Sequence, residues 1–229
     1  GWVQREVAVD LLKRAGLDFE TLKKEAQTRA FQPKVLDGVT FSTAFDVDAR
    51  QVVSKNVVAE VTGKTRPDER TLYTSHWDHL GAGLPAAQGD TIYNGALDNA
   101  AGIATVLEIA EAFAKGEEPA RSVDFLLVTA EEKGLLGSEY YAANPLYPLE
   151  KTVAVLNLDA PSSAGPAKNF SAAGDAASDL QDMLIGQGET LGRAFTPDPR
   201  PEAGSFFRSD HFPFVKVGVP SISYRSGND

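Results

Sequence analysis

Five short motifs along the chain carry side chains that bind metal ions or move protons. Histidine and carboxylate together are common ligands of Zn²⁺ in proteins. The carboxylates outnumber what one closed zinc site needs, and this excess indicates a two-metal hydrolytic site. The motifs are, in chain order, Thr74-Ser75-His76-Trp77-Asp78-His79-Leu80-Gly81, Gly95–Gly102, Thr129–Gly134, Leu156–Asp159 and Arg208–Phe212.

The first motif contains His76 and Asp78, which are two residues apart. In an extended segment such residues point to the same side, so Asp78 can accept the distal ring N–H of His76. This contact would fix the tautomer of the imidazole and strengthen it as a ligand. An isolated His-x-Asp pair is a weak signal, because most such pairs lie in ordinary polar loops.

The next two motifs each allow a structural and a functional interpretation. Asp98 precedes a predicted helix, and an aspartate in that position is commonly an N-cap. Glu131 and Glu132 precede Lys133-Gly134, as acids in a solvated turn often do. Their position directly after a buried strand favours a site, in which one carboxylate could bind metal while its neighbour faces the substrate.

The last two motifs add Asp159 and His211. Asp159 closes the apolar run Val153–Leu158, and a charge there must be solvated, paired or bound to metal. The contiguous residues Ser209, Asp210 and His211 do not indicate a hydrolase triad, because triad members meet in space and rarely in sequence. The chain also lacks the Gly-x-Ser-x-Gly elbow of the serine hydrolases.

Composition limits the classes of function. The chain has 229 residues, 42% of them hydrophobic and 24% charged, which predicts one domain over residues 1–229. A net charge of −10 disfavours nucleic-acid binding, which needs a basic surface. The absence of cysteine excludes thiolate nucleophiles and cysteine-based zinc fingers. No apolar run reaches the length of a membrane span.

The elements that must position these motifs alternate between helix and strand. Residues 5–30 predict one or two short helices divided at Gly16, within a helical segment over residues 1–34. Such alternation predicts an α/β fold, a three-layer sandwich whose central mixed, mostly parallel twisted sheet is flanked by helices. Strands are predicted at 39–41, 54–62, 71–75, 122–129, 153–158 and 219–224, a polar turn at 63–69, and longer helices at 100–115 and 176–191. Sites in such sheets gather beyond the carboxyl ends of the strands, which is where the motifs fall.

From about Ser54 to Tyr224, the five motifs in this order resemble the co-catalytic zinc aminopeptidases of the aminopeptidase Y type. Their superfamily also includes glutamate carboxypeptidase and glutaminyl cyclase. The resemblance implies two Zn²⁺ ions per chain and assigns their ligands. His76 and Asp159 would hold one ion, Glu132 and His211 the other, and Asp98 would bridge them.

The same resemblance implies roles for the remaining residues of the site. Glu131 would be the general base, and Asp78 would orient His76. A cis peptide is expected after the bridging aspartate, between Asp98 and Asn99. Tyr224 is the candidate for a substrate-binding tyrosine that polarises the carbonyl.

The implied activity is that of a zinc-dependent exopeptidase. It would hydrolyse the N-terminal peptide bond of a peptide with a free N-terminus, through a water that bridges the metals, with Glu131 as general base. A dipeptidyl peptidase or carboxypeptidase would differ only in the substrate pocket. A single-zinc acyltransferase like glutaminyl cyclase is less favoured because that branch typically lacks the histidine found here as His76. A catalytically inactive interaction domain is less favoured because every ligand and base position is chemically competent.

The resemblance also implies a secreted or periplasmic protein. The chain begins and ends abruptly, at Gly1 and Asp229, without a signal peptide. We therefore expect it to be a fragment of a longer precursor.

Overall fold

The computed structural model describes residues 3–85, 89–161, 165–173 and 178–227. Contacts within the chain divide it into two compact units, Gly1–Gln51 and Val52–Asp229. The single zinc-peptidase domain over residues 1–229 stays a prediction. Among the described residues, no helix combines the length and the apolar character needed to cross a bilayer.

The first unit contains the two short helices predicted there, α1 (Arg5–Arg14) and α2 (Phe19–Glu25). Gly16 separates them and adopts a φ of 71°, which is accessible to glycine at little steric cost. Asp18 caps α2, because its carboxylate accepts the backbone N–H of Thr21 at 2.8 Å.

The second unit is built on a seven-stranded mixed sheet in the order β1-β5-β2-β6-β9-β7-β8. The pairs β2/β5, β2/β6, β6/β9 and β7/β8 are parallel, whereas β1/β5 and β7/β9 are antiparallel. A separate two-stranded ribbon pairs β3 with β4. The strands are β1 Val57–Val61, β2 Arg66–His76, β3 Gly81–Ala82, β4 Ile92–Tyr93, β5 Arg121–Val128, β6 Thr152–Leu158, β7 Asn169–Ala172, β8 Ala194–Phe195 and β9 Ser221–Ser226.

Helices cover both faces of this sheet. The α-helices of this unit are α3 (Ala101–Lys115), α4 (Leu136–Ala143), α5 (Leu180–Thr190) and α6 (Phe212–Lys216). Helical turns of other types lie at Ala96–Ala100, Leu149–Lys151, Pro201–Ala203 and Ser205–Phe207.

Two apolar clusters fill the space between the layers, and β5 contributes to both. Leu126 packs with Tyr141 of α4 and Phe214 of α6. Phe125, its neighbour on the strand, packs with Val106 of α3 on the other face. Successive strand residues point to opposite faces, so the apolar run of β5 is buried on both sides. The predicted α/β class with a mostly parallel sheet between helical layers is confirmed.

Three local predictions differ from the structure. The prediction of a strand at 39–41 is wrong, because this segment has no strand in the structure. Residues with a high β-propensity form a strand only where a neighbouring strand can pair with them. The turn expected at 63–69 is wrong at its end, since β2 already begins at Arg66. The helix expected from residue 176 begins at Leu180, and residues 176 and 177 lie outside the described chain.

Replacing Arg70 by methionine should destabilise the fold by about 3 kcal/mol, because it leaves a buried carboxylate without its partner. Arg70 Nη1 donates to Asp124 Oδ1 at 2.8 Å, and the Asp124 side chain is only 3% exposed. Urea unfolding measures the change. Arg66→Met is the control, since its contact with Glu69 is exposed and should be worth less than about 1 kcal/mol. Equal losses in both variants would contradict the prediction.

Candidate metal centre

Three adjacent parallel strands bring the first ligand candidates to one edge of the sheet. His76 is the last residue of β2 and lies beside Val128, the last residue of β5. Asp159 directly follows β6, which pairs with β2 on its other side. Because parallel strands end at the same edge, His76, Asp159 and the loop that carries Glu131 meet there.

His76 is surrounded by two of the predicted carboxylates. Its Nε2 lies 3.1 Å from Asp98 Oδ1 and 3.4 Å from Asp159 Oδ1. The side chain is 1% exposed, and Nε2 has no hydrogen-bond partner. A buried nitrogen without a partner is costly, and a cation between His76, Asp98 and Asp159 would satisfy it. These three residues form one group whose ligand atoms lie within 4.8 Å of one another.

A second group of the same size contains His79, Asp98 and Glu132. His79 Nδ1 lies 2.6 Å from Glu132 Oε1, and neither atom makes a hydrogen bond. Asp98 therefore belongs to both groups, which is the arrangement expected of a bridging ligand. The predicted ligand roles of Asp98 and Glu132 stay predictions, now supported by this geometry.

His211 belongs to neither group in the described chain. Its side chain is fully buried, its ring lies edge-on to Phe206 with centroids 5.0 Å apart, and both ring nitrogens lack partners. Burial, helped by the charge of Arg225, lowers the pKa of His211 to about 4. A neutral imidazole is the form that binds metal, so its predicted role as a ligand remains chemically sound.

Asp78 contacts His76 as predicted, but through its main-chain carbonyl rather than its carboxylate. His76 Nδ1 is hydrogen-bonded to the main-chain carbonyl of Asp78 at 3.0 Å, whereas the Asp78 carboxylate lies 3.7 Å away. The carboxylate instead accepts the backbone N–H groups of Glu131 and Glu132, at 3.0 and 3.3 Å. Asp78 thus fixes the His76 tautomer through its backbone and holds the glutamate loop through its side chain.

A half-buried asparagine anchors the base of that loop. Asn56 Oδ1 accepts the backbone N–H of Thr129 at 3.1 Å, and its Nδ2 donates to the carbonyl of Gly137 at 2.8 Å. Between them, Ala130 adopts a φ of 56°, a conformation that a non-glycine residue adopts only where its surroundings enforce it. The surrounding contacts therefore fix the course of the chain into Glu131.

The segment that carries Asp98 is held by its neighbour. The Asp98–Asn99 peptide is cis, as the family resemblance predicted. Asn99 is 2% exposed; its Nδ2 donates to Ser75 Oγ and to the carbonyl of Leu158, at 3.0 and 3.1 Å. Its Oδ1 accepts the N–H of Gly102 at 3.1 Å, so Asn99, rather than Asp98, satisfies the start of α3. The start of α3 therefore does not require Asp98 as an N-cap.

Burial and mutual repulsion change the acidity of the groups around His76. Burial raises the pKa of Glu131 to about 8. The charge of His76 opposes this increase, whereas the charges of Asp210 and Asp159 add to it. Burial likewise raises the pKa of Asp210 to about 7. Burial alone would lower the pKa of His76, but its contact with Asp159 and the nearby carboxylates raise it to about 9. Without a cation, the cluster compensates its negative charge with protons, which a divalent metal would displace.

Tyr224, the candidate for carbonyl polarisation, lies in β9 and joins the α3-side cluster of the core. Its ring stacks on Phe170 with centroids 6.1 Å apart, and its hydroxyl accepts a long hydrogen bond from Arg193 at 3.5 Å. Its role toward a substrate stays a prediction.

Replacing Ser209 by alanine should weaken zinc binding by about 10–100-fold, because Ser209 orients a ligand. Its hydroxyl donates to Asp159 Oδ2 at 2.7 Å and accepts from Asn157 Nδ2 at 2.6 Å. Competition with a chromophoric chelator measures the affinity. Ser223→Ala is the matched control: Ser223 is also buried and also bonded to Asn157, at 3.2 Å, but it belongs to β9. A Ser209 variant that binds zinc as tightly as the control would contradict the prediction.

His79 is the residue of the site to which sequence reasoning gave no role. It lies three positions after His76, and the alternation rule for extended chain directs it to the opposite side. The rarity of histidine could have drawn attention to it, since the chain has only three histidines and His79 lies in the same motif as His76. The structure places His76 and His79 in the two carboxylate groups that share Asp98.

Comparison with known proteins identifies relatives of this arrangement. The model of peptidase family M28 matches residues 56–229. A probable zinc metalloprotease of Pyrenophora teres f. teres is 35% identical over 103 residues, which cover 45% of this chain and 22% of that relative. The chain thus spans about a fifth of the length of this curated relative.

Solved structures share the fold. A peptidase M28 precursor from Shewanella amazonensis SB2B is 30% identical, with a TM-score of 0.54 over 75% of this chain and 35% of that one. Glutaminyl cyclase from Porphyromonas gingivalis is 22% identical, with a TM-score of 0.58 over 76% of this chain and 64% of that one. At this low identity, the likeness to glutaminyl cyclase shows only that the two proteins share a fold.

Proposed function

This chain belongs to peptidase family M28, and from that premise we propose that it is a two-zinc aminopeptidase that releases the N-terminal residue of peptides. One observation carries the proposal. Two groups of ligand atoms, each compact enough for one ion, share the carboxylate of Asp98, directly beside the loop that presents Glu131. The relative named a probable zinc metalloprotease supports the choice of metal.

The residues present fit two zinc ions. His76, Asp98 and Asp159 would hold one ion, and Asp98, Glu132 and His211 the other. The unpartnered nitrogens of His76 and His211 and the unpartnered Oε1 of Glu132 support this, because most buried polar atoms in proteins have hydrogen-bond partners. When bound, zinc supplies Lewis-acid chemistry: it polarises a carbonyl oxygen and lowers the pKa of water.

Glu131 would move the proton of the reaction. Its carboxyl lies close enough to His76 and Asp159 to interact with their charges, and a carboxylate beside the metal ligands can accept a proton and later release it. In the proposed reaction it takes a proton from the attacking water and passes it to the leaving amine. Asp78 holds the backbone of Glu131 during both transfers, since it accepts the N–H at 3.0 Å.

The substrate would approach from the open side of the glutamate loop. A cleft of about 490 Å³ there is lined by Glu131 and Glu132 together with apolar side chains such as Leu135, Phe207 and Phe212. The carboxylates would attract the free α-ammonium group of a peptide, because opposite charges attract each other. The apolar side chains would contact the substrate's own side chains.

Zinc content and substrate preference test the proposal together. The chain is loaded with zinc and assayed on chromogenic aminoacyl substrates, on dipeptidyl substrates and on N-acetylated forms of the same compounds. We expect two zinc ions per chain and cleavage of aminoacyl substrates only when the amine is free. Cleavage confined to dipeptidyl substrates, or cyclisation of N-terminal glutamine, would replace the aminopeptidase proposal. A chain that binds no zinc would overturn it.

A further inference from the structure

His79 makes a close polar contact with Glu132 in the second ligand group. Its Nδ1 lies 2.6 Å from Glu132 Oε1, and both atoms are buried and without a hydrogen-bond partner. An imidazole with a proton on Nδ1 would pair with the carboxylate, whereas one without that proton places two lone pairs against each other, which is costly where water is excluded. A third group that both atoms can bind removes this cost, and a cation is such a group because each atom offers it a lone pair.

We propose that His79 is a metal ligand at the position formed by Asp98 and Glu132. This inference rests on the proposed two-zinc site and adds to it a ligand that the family resemblance does not supply. The ligand atoms of His79, Asp98 and Glu132 lie within 4.8 Å of one another. One imidazole nitrogen with carboxylate oxygens is a donor set that zinc accepts readily.

The surroundings of His79 hold it against the segment that carries Asp98. Gly95 has a φ of 65°, and a Cβ at that residue would lie 2.9 Å from the Cβ of His79 and 3.0 Å from the carbonyl oxygen of Asp98. The absence of a side chain at Gly95 therefore permits the two residues to approach. Tyr93 lies edge-on to the His79 ring, with centroids 6.4 Å apart. His79 is thus a packed side chain rather than a free one.

With His79, each metal position has an imidazole within its own compact group. His76 serves the group that contains Asp159, and His79 serves the group that contains Glu132. His211, which lies outside both groups, would be a second imidazole for the Glu132 position when the metal is bound. The His79 position therefore does not depend on the predicted role of His211.

The test compares zinc binding by the full chain and by His79→Ala, with Leu80→Ala as the control. Leu80 is the next residue, is 46% exposed and offers no ligand atom. Bound zinc per chain is measured by mass spectrometry across a series of buffered free-zinc concentrations. We expect two ions in the wild type and in Leu80→Ala. In His79→Ala the weaker position should lose at least about 100-fold in affinity, since even changes beyond the direct ligands cost 10–100-fold.

Three further measurements separate loss of a ligand from loss of the fold. The melting temperature of His79→Ala in chelator reports the packing that His79 contributes without metal, so only the additional loss seen with zinc measures the loss of a ligand. His79→Asp, which restores a ligand atom, should regain part of the lost affinity. Cobalt(II) bound in place of zinc should show a changed absorption spectrum in His79→Ala but not in Leu80→Ala.

Retention of two ions at wild-type affinity in His79→Ala would overturn the inference and leave the two-zinc proposal intact. A wild-type chain that binds no zinc would instead overturn the proposed function, and this inference with it.

Discussion

Replacing Glu131 by glutamine should lower kcat by about 10²–10⁴-fold while both zinc ions stay bound, because general-base catalysis contributes acceleration of that order. Glutamine keeps the shape of the side chain but cannot accept the proton. The backbone of residue 131 should stay in place, since Asp78 holds it through the N–H and not through the side chain. Steady-state kinetics and zinc analysis on the same preparation measure both properties.

The neighbouring residue provides the matched control for that experiment. Glu132→Gln changes the same functional group one position along the chain, but Glu132 Oε1 faces His79 in the second ligand group. We expect this variant to lose zinc together with activity. If Glu131→Gln lost metal and Glu132→Gln kept it, the two roles would have to be exchanged. If neither variant lost activity on a substrate that the wild type cleaves, the proposed mechanism would be wrong.

Removing the metal should lower the stability of the fold by about 4 kcal/mol for each zinc ion lost, when the zinc concentration had been 1,000-fold above the dissociation constant of that ion. For a chain of this size, that corresponds to a fall in melting temperature of roughly 10 °C per ion. The physical cause is the concentration of carboxylates at one edge of the sheet. Burial and repulsion there already raise the pKa of Glu131 to about 8 and of Asp210 to about 7, and cations relieve that repulsion.

Thermal melts with a chelator and with added zinc measure this effect. Added zinc should restore the melting temperature in a concentration-dependent manner, whereas magnesium should not, because it prefers oxygen ligands and binds imidazole poorly. His76→Ala should reduce the zinc-dependent shift, since it removes a ligand from one of the two groups. A melting temperature that responds neither to chelator nor to zinc would count against a metal site.

The sequence alone was sufficient to predict the central strands of the sheet and the edge at which the site forms. The largely apolar segments Arg121–Val128 and Thr152–Leu158 became β5 and β6, which neighbour β2 in parallel. Because side chains that follow parallel strands meet at one edge, the convergence of His76, Glu131 and Asp159 could be predicted without coordinates. The apolar residues alone were sufficient to predict these strands, since a largely apolar segment of this length is typical of a strand that is buried on both faces of a sheet.

The tertiary structure decided which atoms of the site contact one another. The sequence could not show that Asp78 would bind His76 through its carbonyl and the Glu131 loop through its carboxylate. It also could not show that His79 would turn toward Glu132. After β2 ends, the alternation of an extended strand no longer applies, and side-chain directions depend on contacts far away in sequence. Asp78 and Glu131 are 53 residues apart, so only folding could fix their geometry.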